Sequence, residues 1–359
     1  MTSSETESAP LWRLATVRRL ALDLLIGTGM ASDKADAVVD ILMDGDLMDH
    51  TTHGLRLLPR YLAEIRSGRM SKDGAPTVIA QRPAALTWDG HYLPGPWLTL
   101  QAIDHAIDMA STYGTGTVVM RRSHHIAGLV TYLNRAVERG FAIEIMSASP
   151  HNRTVSAHGG IEGVMSPNPL AFGYPTDDGP VLIDVSMSTT ANNTTIQYHS
   201  EGRKLPHAWV KDAAGNPTDD PAVLFTDTPG TLMPMGGPDH GHKGFGMGLM
   251  VEAMTCGLSG HGRADGVEQW GASVFVQILD PDAFGGRDAL VRETGFLARA
   301  CRASAVRPGD PPVRLPGQRA VAKRTERLKT GFPLATATVD ALMKEAETAC
   351  PDTPRPEAH

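Results

Sequence analysis

Apolar positions of helical period open the chain. Val17, Leu20, Ala21 and Leu24 fall at i, i+3, i+4 and i+7, with Thr16 placed to cap the run. Ala35, Val38, Val39 and Leu42 repeat the stripe behind Ser32, and Leu57, Leu58, Tyr61 and Ile65 form a third that ends near Gly68. The pattern then shortens. Residues 84–88 read as a strand closed by Asp89-Gly90, and Leu100, Ile103, Ile107 and Ala110 return to a helix. Residues 117–120 and 141–146 read as buried strands around a helix that runs to about Arg139. A loop rich in Pro, His, Asn and Gly follows to Pro169, and 181–183 is a short strand ending at Asp184. Pro206, Pro217, Pro221, Pro229 and Pro234 predict loop through most of 189–238. Beyond it come a Gly-rich helix at 243–258, a strand at 274–279, a helix at 290–301, a linker at 308–317 and a basic helix at 321–328. Strands alternating with helices predict an α/β or α+β fold.

Composition narrows the class. The 359 residues are 41% hydrophobic and 20% charged with a net charge of −7, a globular profile without a basic stripe. That balance argues against a nucleic-acid or anionic-membrane partner. Cys256, Cys301 and Cys350 are far apart, odd in number and form no CxxC, which fits a reducing compartment. The polar start at 1–10 lacks a signal-peptide core, and no run reaches the roughly 18 to 20 apolar residues of a membrane helix. A cytoplasmic protein is expected.

Several familiar chemistries are missing. No GxGxxG lies between a strand and a helix, and there is no GxxxxGK[ST], HExxH or GxSxG. The glycines at 241, 244, 246 and 248 around Lys243 match none of these and read equally well as close helix packing. Histidine stands out instead, in the pairs His50/His53, His124/His125 and His240/His242. Paired histidines with Asp49 nearby admit a metal-dependent hydrolase or lyase. Thr52-His53-Gly54 points more directly to acid–base work: a hydroxyl beside an imidazole of near-neutral pKa, suited to protonating a carbonyl oxygen as hydride reaches its carbon.

Seven motifs then occur in one order: 46–61, Ser123-His-His125, Ser166-Pro-Asn-Pro169, Asp184-Val-Ser-Met-Ser188, Gly215-Asn-Pro-Thr218, Gly241-His-Lys-Gly-Phe-Gly246 and Leu315-Pro-Gly-Gln318. Together they resemble the type 2 malate/L-lactate dehydrogenase family of NAD(P)H-dependent oxidoreductases over about residues 12–345. That family includes ureidoglycolate and sulfolactate dehydrogenases, diketogulonate reductase and the reductases of Δ1-piperideine-2-carboxylate.

The resemblance implies an α/β fold with a mixed, non-Rossmann sheet and a helical N-terminal region at 10–115, packed with 300–345. It implies a cofactor-binding α/β domain at 116–299, tails at 1–9 and 352–359 being loose, and a homodimer. It implies NADH or NADPH as cofactor and no metal. The reaction would interconvert a 2-keto acid and a 2-hydroxy acid, or reduce a cyclic imine 2-carboxylate; a non-catalytic nucleotide-binding relative is the alternative of another class. His53 would exchange the proton, with Thr52 and His125 beside it. Cofactor contacts would fall on His125, Asn168, Pro169, Asp184, Ser186, Ser188, Thr189, His242, Lys243, Gly317, Gln318 and Arg319. The sequence departs from the family at two points. The arginine that clasps a substrate carboxylate, four residues after the histidine, is Leu57, and Met48-Asp49 stand for Arg-Gly. Arg56 and Arg60 are nearby, but a one-residue offset turns a helical side chain by about 100°, so neither reads as a simple substitute.

Overall fold

The computed structural model describes residues 10–358; the expected tail at 1–9 lies outside them. Its centre is a mixed seven-stranded sheet. In chain order the strands are β1 (Thr77–Arg82), β2 (Ala85–Asp89), β3 (Thr115–Ser123), β4 (Ala142–Ala148), β5 (Leu170–Tyr174), β6 (Val181–Val185) and β7 (Ala272–Leu279). Their spatial order is β1-β2-β3-β7-β4-β5-β6, antiparallel at every pairing except β2 with β3. Alternation decides which residues go where. Val118, Met120, Val274, Val276, Ile143 and Ile145 join the main core, while Val119, Phe275, Met146 and Ala148 form a separate apolar layer with Val251.

Helices α1 (Leu14–Gly27), α2 (Ser32–Leu47), α3 (Leu58–Arg66), α4 (Gly95–Tyr113) and α5 (Val130–Val137) surround the main core. α6 (Asn192–Ser200), α7 (Gly237–Glu252), α8 (Arg287–Arg302), α9 (Gln318–Thr330) and α10 (Thr336–Ala349) complete the set. The periodic helices all form, with shifted starts. α1 begins at Leu14, so Thr16 lies inside its first turn, its hydroxyl donating to the Arg13 carbonyl at 2.8 Å. Ser32 is the first residue of α2, and Ala31 takes the cap position without a side-chain bond.

Other expectations are corrected. The loop predicted up to Pro169 contains short strands at Val155–Ser156 and Gly163–Met165, and 189–238 contains α6 and strands at Val210–Lys211, Pro217–Thr218 and Thr231–Leu232. These pieces form a second, five-stranded sheet. Two-residue strands are too short to show an alternation. β1 escaped notice because all six of its residues are exposed, as an edge strand permits. β1 and β2, within the region 10–115 read as helical, pair into the same sheet as β3. Near the C-terminal end of the described residues, Thr353 donates to Asp23 at 2.8 Å, and Trp12 bridges to Ala358.

Candidate active site

α2 ends where the chain must reverse to present His53. Asp49 makes the turn at φ +69°, a left-handed conformation that Asp tolerates and that accounts for the glycine the family resemblance places there. Two 3₁₀ turns follow, Thr51–His53 and Leu55–Leu57, joined by Gly54. A Cβ on Gly54 would lie 2.1 Å from Asp46 Oδ1. The same carboxyl accepts the Leu55 N–H at 2.8 Å, and burial raises its pKa to about 7. α9 holds the turn from behind. Arg327 donates to the Asp46 carbonyl at 2.6 Å and to Asp49 Oδ1 at 2.7 Å, while Arg319 reaches Asp49 Oδ2 at 2.5 Å.

His53 Nδ1 lies 2.9 Å from the Thr52 hydroxyl; with that hydroxyl donating, Nε2 carries the ring proton. The near-neutral pKa expected from sequence is corrected. Burial, reinforced by the fields of His50 and Arg56, pushes His53 down to about 4, so its resting form is the neutral imidazole. Gly128, just before α5, forms a close wall: a Cβ there would sit 3.5 Å from the His53 Cβ.

His125 stands parallel to His53, ring centroids 6.3 Å apart with planes inclined by 15°. The Tyr61 hydroxyl lies 2.8 Å from His125 Nδ1 and 3.1 Å from its carbonyl. The Ala127 N–H, which can only donate, also reaches Nδ1 at 3.4 Å, so Nδ1 accepts and Nε2 bears the proton. Burial holds this imidazole well below its usual pKa. Trp270 packs on it at 4.8 Å, and the fully buried His124 lies edge-on to the same indole at 4.9 Å. Glu64 approaches His124 Nε2 at 3.5 Å while bound by both arms of Arg69, whose hydrogen bonds hold its carboxyl below the usual range.

Asp184 serves the other end of this turn. At the end of β6 its Oδ2 accepts the Val130 N–H at 2.8 Å, capping α5, and burial raises its pKa. Through this bond Asp184, which the sequence reading places at the cofactor, also supports the segment that follows His125.

The remaining site residues divide into two sets. Asn168, at φ +41° and 1% exposed, spends its amide on Glu252 at 2.9 Å and the Gly248 carbonyl at 3.2 Å, and its Oδ1 accepts from Ser166 at 2.5 Å. The Pro169 carbonyl accepts from Ser147. Ser186 bonds Ser188, Ser188 the Thr190 carbonyl, and Thr189 the Trp209 carbonyl at 2.6 Å. Gly317, at φ +79°, lies against Leu182, the Gln318 side chain turns back to the Leu315 N–H, and Arg319 is committed to Asp49. These groups shape a floor. The second set faces solvent: His242 and Lys243 stand exposed near the start of α7, and Lys243 makes no ion pair among the described residues. Glycines 244 and 248 of the same helix press against Met187 and Gly241 lies against His158, so these three pack closely, while a Cβ on Gly246 would meet nothing within 4 Å.

Asn193, at the start of α6, donates to the Thr52 carbonyl at 3.0 Å and so joins the hydroxyl-rich 186–190 run to the His53 turn. Sequence reasoning passed over Asn193, Tyr61, Trp270, Asp46 and Arg327. Of these Asp46 and Tyr61 carried a signal, as the two ends of the 46–61 motif. Among the described residues no group of three or more His, Cys, Asp or Glu could hold a metal, and no helix is long and apolar enough to cross a membrane. The three cysteines are free.

Comparison with known proteins identifies the family and the fold. The sequence model of the family described as malate/L-lactate dehydrogenase matches residues 12–343. An L-lactate dehydrogenase of Cupriavidus necator is 28% identical, covering 88% of this chain and 92% of that protein. A Delta(1)-pyrroline-2-carboxylate reductase of Ancylobacter novellus is also 28% identical, over 90% and 94% respectively. In structure, the malate dehydrogenase of Entamoeba histolytica superposes with a TM-score of 0.88 at 24% identity, covering 95% of this chain and 98% of that one.

Proposed function

The chain belongs to the malate/L-lactate dehydrogenase family, and on that premise we propose that His53 is the proton donor and acceptor of an NAD(P)H-dependent oxidoreductase that interconverts a 2-keto acid and a 2-hydroxy acid. The observation that carries this reading is the pair of parallel imidazoles, His53 and His125, each with Nδ1 facing a hydroxyl. Both Nε2 atoms are then left for a substrate heteroatom.

The donors of the chain fit a dinucleotide. Lys243 and His242 offer unspent charge and hydrogen bonds to its phosphates near a helix start, and the 186–190 hydroxyls lie beside the catalytic turn. When bound, the reduced nicotinamide supplies hydride to the substrate carbon. His53 handles the proton. Neutral at rest, it is a ready base for the hydroxyl of a 2-hydroxy acid. In reduction, an anionic carboxylate bound alongside favours the imidazolium, so the proton that His53 delivers arrives together with the substrate. His125 Nε2–H, fixed by Tyr61 and Ala127, orients the same oxygen.

The likeness to the pyrroline-2-carboxylate reductase supports a second substrate class, cyclic imine 2-carboxylates, in which nitrogen takes the proton. A homodimer is proposed from the exposed Leu249, Met250 and Leu258 on and beyond α7. A cytoplasmic location is proposed from the unpaired cysteines.

The test is a consumption screen of NADH and NADPH over 2-keto acids and cyclic imino acids. Replacing His53 with Asn is expected to lower turnover by about two to four orders of magnitude. Turnover unchanged on the true substrate removes His53 from the mechanism.

A further inference from the structure

We propose that Arg60, seated on the Trp270 indole beside His125, anchors the substrate carboxylate in place of the missing arginine at position 57; this rests on the reading of the chain as a carboxylate-substrate oxidoreductase. Leu57 is unavailable for the task, being 9% exposed and packed into the main core. Arg56 is turned from that position by about 100°. Arg60 is not, because residues three apart share a helix face one turn along, which corrects the reading that neither arginine can stand in.

Three observations converge on Arg60. Its guanidinium carbon lies 3.6 Å from the centroid of Trp270, whose ring in turn lies 4.8 Å from that of His125. Cation and imidazole therefore border one indole. Second, Arg60 has no ion-pair partner among the described residues, although its neighbours do: Arg66 pairs with Glu345, and Glu64 is bound by both arms of Arg69. An aromatic seat holds a guanidinium in place without neutralising it. Third, the Arg60 charge reaches His124, His125 and His151, and His151 Nδ1 is buried with no hydrogen-bond partner among the described residues. An unpaired planar fork matches a carboxylate, which takes two parallel N–H···O bonds, and discriminates against an ester or amide.

The experiment uses the full chain and oxalate as the probe, followed by tryptophan emission with and without NADH. Oxalate is expected to bind the wild type, R60M to bind it about 10- to 100-fold more weakly, and R60K to fall between them. In steady state, R60M is expected to lose the preference for a 2-keto acid over its amide by the same factor, while NADH affinity stays within about twofold. Equal oxalate affinity in wild type and R60M, or no oxalate binding in the wild type, overturns the proposal. Oxalate binding that depends on Arg60, with no keto acid or imine turned over, leaves this anchor standing and overturns the proposed reaction instead.

Discussion

The turn that carries His53 and the segment from Ser186 to Lys243 are both polar, both marked for chemistry, and built in opposite ways. The first sits on the main core, between Leu47 and Leu55, and its exposed hydrogen-bonding groups are few. Buried charged partners fix it: Asp46 from α2, Arg327 and Arg319 from α9. The second packs on only a small core, with Val155, Met165, Met187, Leu205, Val210 and Leu232 buried, and its Lys243 stands in solvent. Proton transfer demands reacting groups placed to a few tenths of an ångström before the substrate arrives, so the scaffold must over-determine them. Gripping phosphates depends on charge and tolerates movement. The contrast locates rigid chemistry on one wall and adaptable binding on the other.

The sharpest way to break that contrast is Gly54→Ala. The added methyl collides with a carboxyl that is itself held by Leu55, so the fold is expected to lose about 3 kcal/mol or more, read as a fall in urea midpoint. A variant as stable as the wild type would mean the His53 turn is not over-determined. A second test uses acid. His53, His124 and His151 are each held near 4 in the folded chain against 6.5 in the unfolded one. Between those values the unfolded chain binds protons that the native one refuses, so stability falls as pH drops from about 6.5 to 4. Asp46, raised to about 7, opposes this, since it favours the fold as pH falls from about 7 to 4. Three histidines outweigh one aspartate, and H53N is expected to flatten the slope of unfolding free energy against pH; an unchanged slope would deny its burial. The smallest effect belongs to the adaptable wall. Lys243→Gln is expected to weaken NADH or NADPH binding about tenfold and to reduce its salt dependence, with no change in unfolding midpoint. A loss of stability there would make Lys243 a structural residue and erase the distinction.

Much of the site was legible locally, and the limits of that legibility are physical. The 46–61 motif led to His53, and strand alternation led to β3, β4 and β7, because both signals lie within a few consecutive residues. β1 and the two-residue strands left no such signal: an exposed edge has no buried face, and a pair of residues has no period. The sequence also did not show that Asp184 would accept the Val130 N–H at the start of α5, or that Arg319 would pair with Asp49. A carboxylate or guanidinium in a sequence does not declare which partner will claim it.

By itself, then, the sequence determined the alternation of elements, the imidazole proposed to carry the proton and the absence of an arginine at position 57. Tertiary structure decided the rest. It paired His53 with His125 across 72 residues, brought α9 behind the His53 turn, lowered the imidazoles by burying them, and set Arg60 on Trp270 with no ion-pair partner among the described residues. Proton affinity and charge balance depend on what surrounds a group in space, and that surrounding exists only once the chain has closed on itself.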